Sequence, residues 1–343
     1  MMRPSRSHAS ARSHKVEAMT IPSIKSRLLN LLPEPVRNSS RLLTKRGRLV
    51  KKVKARKAAR AASPHKYTDS PTVSLIIQSF NHRDNIETIV ERLRLTTAQE
   101  VIVCEDGSVD GSEKAWRAQL TRPNDFVILS NDLHEIRTYN RAIKLAHGEF
   151  IGLLQDDDIP PTDPSWVDDV VKLFRKYPKM AILSGWNGWT FDLTDIDKSI
   201  GAPVGPAELF RDGRLEKMDP ESKIPFQFVE AVGIGPMFFR RSDFQALGGF
   251  DEQLSRPGEP GIWLDYDISL RAWLSDRWVG VYQPKPFERN IGGQGTVMFG
   301  NAVRSANFTR NLERFKQNYS DHLPSVRAKV EALNEQLVPR SSR

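Results

Sequence analysis

Four short apolar runs, each followed by a polar or helical segment, are the feature that most constrains the fold of this chain. The runs are VSLIIQS, EVIVCED, FVILS and GEFIGLL, and they lie between residues 73 and 154. A continuous apolar run of this length is typical of a strand that is buried on both faces. Apolar residues at helical spacing follow the first and third runs, for example Ile86, Ile89 and Ala142. The alternation predicts an α/β fold with a largely parallel central sheet that is covered by helices on both faces.

The segments on either side of this predicted core differ from it in composition. Residues 1–20 are rich in Ser and Arg, which predicts a disordered leader. Residues 21–66 carry Leu and Val between Lys and Arg, which predicts a basic amphipathic helical extension. Residues 71–290 form the predicted single α/β domain, and residues 291–343 comprise a glycine-rich loop and C-terminal helices. We therefore expect one folded domain between a basic leader and a helical C-terminal segment.

The net charge of +9 comes from the N-terminal end of the chain. Residues 1–66 contain 18 of the 51 Lys and Arg residues but two of the 42 acidic residues, so the remainder carries 33 basic and 40 acidic residues. A mildly acidic body argues against a DNA-binding surface on the main domain. The extension is typical of a segment that binds an anionic membrane surface, although an RNA-binding tail and a merely solvated helix remain open.

Apolar runs and cysteine content indicate the cellular compartment of the protein. No run of the sequence approaches the ~20 apolar residues of a membrane span, and the N-terminus lacks the apolar core of a secretory signal. Cys104 has no second cysteine with which to form an internal disulfide, as fits a reducing compartment. We therefore expect a cytoplasmic protein, held peripherally at the inner face of a membrane if the basic extension binds lipid.

Carboxylates follow two of the predicted strands. Asp106 comes directly after EVIVCE, and Asp156, Asp157 and Asp158 come directly after FIGLLQ. Because ligands of parallel sheets bind beyond the carboxyl ends of the strands, we expect both groups beside one cleft. Such a cluster suits Mg²⁺ or Mn²⁺, which take oxygen ligands and share them with phosphate groups. The simplest ligand is a nucleoside diphosphate held by a metal, and the alternative is a pair of turns that happen to contain Asp.

Several segments together resemble a known family. PTVSLIIQSFNHRDNI, EVIVCEDGSVDGS, the Gly-Glu pair that leads into QDDD, and GGFDE followed by LDYDISLRA are similar, in this order, to the motifs of family 2 glycosyltransferases. The resemblance covers roughly residues 71–290 and implies the GT-A nucleotide-sugar fold. It also implies an inverting, metal-dependent enzyme of polysaccharide biosynthesis. Such an enzyme moves a sugar from a nucleoside-diphosphate sugar to a hydroxyl of a glycan or glycolipid.

The resemblance implies a nucleotide site at the ends of the first, second and fourth strands. Asp106 matches the second acid of the family's DDGS motif, which binds the nucleobase. Gln78, Ser79 and Phe80 fall where the family's first strand meets the base and the ribose. Asp156 matches a position that binds ribose in some members of the family.

The resemblance places the metal on the carboxylates that follow. Asp157 matches the metal ligand of the family's Asp-x-Asp motif, and Asp158 is a second candidate ligand. Gln155 departs from the motif, whose first position is Asp. Strand alternation would instead pair Asp156 with Asp158 on one side, so the register of these ligands stays open by one residue.

The acidic motif after GGFDE commonly reads Glu-Asp in the family, and its Asp is the catalytic base. Leu264 and Asp265 occupy the two positions here, so Asp265 is the candidate base and Asp267 is the substitute candidate. A base at this point would take the proton of the acceptor hydroxyl while the new bond forms. The other interpretation of Asp265 is a cap at the start of the following helix.

Four further residues are candidates for the acceptor site and for a lid. Trp186, Trp189 and Trp263 either stack on sugar faces or pack in the core. Arg289, beside a glycine-rich loop, is placed to reach a diphosphate.

Two other functions compete with sugar transfer. A nucleotidyltransferase is disfavoured because QSFNHRDN lacks the glycine-rich loop that such enzymes carry after their first strand. A non-catalytic nucleotide-sugar or glycan-binding scaffold stays open because carboxylates are missing at Gln155 and Leu264.

Overall fold

The computed structural model describes residues 66–185, 187–191, 202–204, 215–284, 287–289 and 301–340, and helical backbone at positions 47, 48, 50, 51 and 54. The chain divides into two compact units, residues 1–61 and 62–343. The predicted leader, most of the predicted basic extension and the loop at 290–300 lie outside the described residues. The elements below belong to the second unit.

The described residues of this unit form fifteen strands and eight α-helices. The strands are β1 (Val73–Ser79), β2 (Glu100–Glu105), β3 (Phe126–Leu129), β4 (Phe150–Gln155), β5 (Asp158–Ile159), β6 (Met180–Ser184), β7 (Gly188–Thr190), β8 (Ala202–Val204), β9 (Lys217–Met218), β10 (Phe226–Phe228), β11 (Ala231–Val232), β12 (Met237–Arg240), β13 (Trp278–Tyr282), β14 (Glu288–Arg289) and β15 (Val338–Pro339). The helices are α1 (Ile86–Leu95), α2 (Ser112–Gln119), α3 (His134–Leu145), α4 (Ser165–Lys176), α5 (Arg241–Ala246), α6 (Leu264–Leu274), α7 (Asn301–Tyr319) and α8 (Leu323–Asn334).

The centre of the fold is an eight-stranded sheet with the order β10-β13-β6-β12-β4-β1-β2-β3. The strands β3, β2, β1 and β4 run parallel, and β13 is parallel to β6. Strand β12 lies antiparallel between β4 and β6, and β10 is antiparallel to β13. The predicted α/β fold with a largely parallel sheet is therefore confirmed, with the correction that the sheet is mixed.

The order of the first four strands creates a switch point between β1 and β4. The chain adds β2 and β3 on one side of β1 and then returns to add β4 on the other side. Because such crossovers are right-handed, the return places α3 on the opposite face from α1 and α2. Ligands of open α/β sheets bind outside the carboxyl ends of the strands at a switch point of this kind. The fold therefore brings the loops after β1, β2 and β4 to one edge.

Two helices have features that apolar spacing does not show. Helix α3 begins at His134, where the backbone is left-handed, as it also is at Asn131 and Asp132. Most side chains of α6 are buried, because β6, β11 and β13 pack against this helix and Tyr319 of α7 bonds to Asp267. Local apolar spacing does not report packing of this kind.

Within the described part of the chain, no helix is both long enough and apolar enough to cross a bilayer.

Gly152 lies in β4 where the sheet is packed on both sides. A Cβ atom at this position would lie 2.5 Å from Cε1 of Phe238 and 2.7 Å from Cδ2 of Leu75. We expect Gly152→Ala to lower the free energy of unfolding by about 1–3 kcal/mol, because overpacking forces neighbouring side chains out of position. Urea unfolding measures this. The control is Ala118→Ser on the exposed face of α2, which should change stability by less than about 0.5 kcal/mol.

Candidate active site

The loops after β1, β2 and β4 are joined directly to one another. Gln78 at the end of β1 is in register with Cys104 of β2 and with Gln155 of β4. The amide of Asp106 donates a hydrogen bond to the carbonyl of Ser79 (3.0 Å). Side chains join the same loops, since Asn81 Oδ1 accepts from the Val109 amide (2.9 Å). The two groups of strand-end carboxylates therefore share one edge of the sheet, as the sequence predicted.

Asp106 is a buried carboxylate that holds the start of α3. Its Oδ1 accepts the amide of Leu133 and its Oδ2 accepts the amide of His134, both at 3.0 Å. The residue after it, Gly107, has φ of +89°, a conformation that glycine adopts without strain and that turns the chain sharply after β2. A carboxylate with two amide donors keeps further lone pairs, so it can still accept from a ligand.

Asp156 is a buried carboxylate that organises the loop after β1. Its Oδ2 accepts the amide of Phe80 (2.6 Å), and its Oδ1 pairs with Nδ1 of His82 (2.8 Å). Asn85 Nδ2 donates to its backbone carbonyl (2.9 Å). The hydrogen bond to Asp156 raises the pKa of His82 despite partial burial of the ring. The structure gives Asp156 a positioning role that the sequence did not indicate, and the ribose role that the resemblance implied stays a prediction.

The two other carboxylates of the cluster differ in exposure. Asp157 is half-buried, and within the described part of the chain its side chain has no hydrogen bond or ion pair. Asp158 is fully buried, its Oδ2 accepts the amide of Gln155 (2.9 Å), and its backbone pairs with Arg289 across β5 and β14. Burial alone does not test whether Asp158 is a second metal ligand, so that role stays a prediction.

The side chains available as metal ligands limit the kind of metal site that the described residues can form. Among the residues that the structure describes, no three His, Cys, Asp or Glu side chains are grouped as metal ligands. Mg²⁺ commonly uses one or two carboxylates and completes its shell with water and substrate phosphate. The half-buried carboxylate of Asp157 fits a metal of that shared kind, and the described residues do not form a closed protein cage.

The three predicted nucleotide residues at the end of β1 differ in burial. Ser79 is fully buried, and its Oγ accepts from Nε1 of Trp116 (2.8 Å). Its hydroxyl is therefore bonded to α2, and its assignment to the nucleotide site stays a prediction. Gln78 and Phe80 are half-buried, so their side chains are accessible at this edge.

Asp265 lies in the first turn of α6, which starts from Trp263 with φ of +75°. The Tyr266 amide donates to its Oδ1 (3.0 Å), and the Ile234 amide also donates to its carboxylate. Burial raises the pKa of Asp265 to about 6, against the opposing effect of these amides, and the nearby Glu135 carboxylate adds to the rise. A carboxylate with this pKa is a stronger base than an exposed Asp.

Asp267 forms an ion pair with Arg271 on the same helix, and its place as substitute base stays a prediction. Its Oδ2 accepts from Nε of Arg271 (2.9 Å), and its Oδ1 accepts from the Tyr319 hydroxyl (2.7 Å). Arg271 in turn donates to the carbonyls of Leu247 and Gly249. Asp267 therefore orients the arginine that holds the Gly-Gly-Phe turn.

The aromatic candidates lie mostly in the core. Trp263 is buried and packs against Tyr266 and Phe315, so the core-packing interpretation of this residue is the one that the structure supports. Trp189 is half-buried and meets Tyr266 edge to face at 6.4 Å. Trp186 and the side chain of Arg289 lie outside the described residues.

The segment that leads to Asp265 is held by residues that the sequence analysis missed. On α7, Asn311 Nδ2 donates to the carbonyls of Leu254 and Ile262, each at 2.8 Å. On α3, Glu135 Oε2 accepts the amide of Gly261 (2.8 Å). Both contacts join residues far apart in sequence, and the polar character of Asn and Glu on two helices was the signal available.

Comparison with known proteins gives a family for part of the chain. Residues 74–244 match the family Glycosyl transferase family 2. Over 95 residues the chain is 33% identical to EpsH of Bacillus subtilis (strain 168), which is provisionally named a glycosyltransferase, and the match covers 26% of this chain and 27% of EpsH. The chain thus spans about a quarter of this relative.

Two solved structures are similar at low identity. The Mn²⁺ and GDP-Man complex of the mannosyltransferase PcManGT from Pyrobaculum calidifontis is 16% identical, with a TM-score of 0.45, over 82% of this chain and 81% of that one. TarS of S. aureus is 18% identical, with a TM-score of 0.43, over 63% of this chain and 36% of that one.

The raised pKa of Asp265 gives a stability prediction. Its folded-state pKa of about 6 lies above the ordinary value of 3.8, so the ionised carboxylate disfavours folding above pH 6, and this cost vanishes as the pH falls towards 4. We expect Asp265→Asn to raise the free energy of unfolding by about 1–3 kcal/mol at pH 8, and by much less at pH 4. Urea unfolding at the two pH values measures the difference.

The control for this measurement is Asp276→Asn. The hydrogen bond from Lys179 lowers the pKa of exposed Asp276, so its replacement should not stabilise the protein at pH 8. A lower stability of Asp265→Asn at pH 8 would contradict the raised pKa.

Proposed function

Because the chain contains a glycosyl transferase family 2 domain at residues 74–244, we propose that it transfers a sugar from a nucleoside-diphosphate sugar to a hydroxyl group of a glycan or glycolipid acceptor. The reaction proceeds with inversion at the anomeric carbon. The observation that carries the proposal is Asp265, a half-buried carboxylate with a raised pKa. Glu135 of α3 contributes to that raised pKa, and the start of α3 donates to Asp106. The family match ends before this residue, so its role is supported by its surroundings alone.

Asp265 is the proposed base. Inversion requires the acceptor hydroxyl to attack the anomeric carbon from the face opposite the leaving diphosphate. As the new carbon–oxygen bond forms, the hydroxyl proton moves to the Asp265 carboxylate, and the bond to the diphosphate breaks with its electron pair. The pKa of about 6 leaves Asp265 ionised near neutral pH and makes it a useful proton acceptor.

The nucleoside diphosphate is proposed to bind where β1, β2 and β4 end. Asp106 offers lone pairs to the nucleobase, and Gln78 and Phe80 offer half-buried surface beside it. Asp156 keeps the Phe80 amide and His82 in place. A divalent cation, Mn²⁺ or Mg²⁺, would be held by Asp157, and when bound it would neutralise charge on the leaving diphosphate.

A donor screen tests this function. The wild-type protein is incubated with a panel of UDP-, GDP- and other nucleotide sugars, with and without Mn²⁺, and thermal stabilisation and sugar release are measured. Stabilisation by one class of donor supports the nucleotide site. Binding without sugar release or transfer to any hydroxyl acceptor would favour the non-catalytic scaffold.

For the base, we expect Asp265→Asn to lower the transfer rate by about 10²–10⁴-fold, because the amide cannot accept the proton. The affinity for the nucleoside diphosphate should change by less than about threefold, since the base contacts the acceptor. Steady-state kinetics and calorimetric titration of the nucleotide measure the two effects. Equal losses of rate and nucleotide affinity would contradict a role in proton transfer.

For the metal, we expect Asp157→Ala to abolish the additional thermal stabilisation that Mn²⁺ gives in the presence of nucleoside diphosphate. Stabilisation by nucleotide alone should remain, because Asp106 and Phe80 are unchanged. The control is Asp169→Ala on α4, which pairs with exposed Lys172 away from this edge. A full Mn²⁺ response in Asp157→Ala would remove this residue from the metal site.

A further inference from the structure

Glu135 connects three parts of the candidate site. It lies in the first turn of α3, and its side chain is 12% exposed. Its Oε2 accepts the Gly261 amide (2.8 Å) and lies 2.7 Å from Nδ1 of His134. The His134 amide donates to Asp106. Glu135 therefore stands between the strand-end acid of β2 and the segment that leads into α6.

The contact with Gly261 is close and leaves little freedom. A Cβ atom on Gly261 would lie 2.7 Å from Cγ1 of Ile136, which is buried on α3. The backbone of this segment therefore rests directly on the first turn of α3. Asp265 follows four residues later, so the position of Gly261 sets where α6 begins.

The segment is also held by α7. Asn311 donates to the Ile262 carbonyl (2.8 Å), and Asn307 donates to Glu259 Oε2 (3.2 Å). Both asparagine side chains are almost completely buried. The segment is therefore anchored by α7 as well as by Glu135 of α3.

The charge of Glu135 contributes to the raised pKa of Asp265. Burial alone would raise the pKa of Glu135, but His134 and the Gly261 amide more than offset this effect, so its pKa lies below the usual value. Glu135 therefore stays ionised. The charged groups that face it are His134 on its own helix, Arg304 on α7 and Asp265 on α6.

The other acid near Asp265 is neutralised. Asp267, on the same helix, is paired with Arg271 and bonded to Tyr319. Glu135 supplies the electrostatic repulsion that helps to raise the pKa of Asp265. The other influences on this pKa are burial, which raises it, and backbone amides, which lower it.

We propose that Glu135 is a positioning residue for Asp265: its carboxylate fixes the Gly261 amide, which sets the start of α6, and its negative charge faces the base. This inference rests on the proposed role of Asp265 in sugar transfer. Glu135 does not touch the donor or the acceptor in this arrangement. It acts on the reaction through the placement and the basicity of Asp265.

The alternative to this proposal is that Glu135 only stabilises helix α3. An acid in the first turn of any helix interacts favourably with the helix dipole and contributes to stability. That role would change the stability of α3 without changing the ionisation of Asp265. Glu113 offers a matched control, because it lies in the first turn of α2, is 46% exposed and pairs with Arg117.

The test compares Glu135→Gln and Glu135→Ala with Glu113→Gln and Glu113→Ala in the full chain. Glutamine can still accept the Gly261 amide but lacks the charge. Without the negative charge Asp265 ionises at lower pH, so the acidic limb of the kcat profile of Glu135→Gln should move to lower pH. Alanine removes both effects, so kcat of Glu135→Ala should fall by about 10- to 100-fold. Nucleoside diphosphate affinity should stay within about threefold in both variants.

The outcomes separate this inference from the proposed function. A pH profile of Glu135→Gln that coincides with the wild type would overturn it, even if Glu135→Ala failed to fold. Parallel losses of kcat and nucleotide affinity would also overturn it, because they would place Glu135 in the donor site. If the wild-type protein neither binds a nucleotide nor transfers a sugar, the proposed function itself fails.

Discussion

The two hydrogen bonds that Asp106 accepts from the start of α3 are the constraint on which the site depends. They join the end of β2 to a helix that lies on the other side of the sheet from α2. A buried carboxylate without such partners would be costly, so these two hydrogen bonds hold the loop before α3 at the end of β2. Through Glu135 the same helix turn supports the segment before Asp265. The proposed nucleotide end and the proposed acceptor end of the site are therefore both joined to the start of α3.

The sequence predicted the strands and the edge at which they meet, because apolar runs are local signals. It could not predict that β12 lies antiparallel between β4 and β6, because the apolar character of the run MFFR does not indicate the direction of a strand. It also could not predict the start of α3, because left-handed backbone at Asn131 and His134 is imposed by contacts with β2 and not by a glycine.

The candidate site residues also differ in how far the sequence could predict their surroundings. Asp106 and Asp157 could be placed at one edge because the ends of parallel strands meet there, and their ligand roles stay predictions. The sequence did not show that the hydroxyl of Ser79 accepts from Trp116, which is 37 residues away. Asp265 and Asp267 occupy the same first turn of α6, and Arg271 and Tyr319 determine which of them is neutralised. Such partners come from packing, and no spacing pattern identifies them.

The hydrogen bonds from α7 to the segment before Asp265 determine where this protein could be cut into fragments. The family match stops at residue 244, whereas the acid at 265 and its asparagine clamp at 307 and 311 lie beyond that boundary. A fragment cut at the boundary would retain the nucleotide half and lose the acceptor half. Modules exchanged between homologues, in evolution or in chimaeras, would have to extend from β1 to the end of α7 to carry both halves intact.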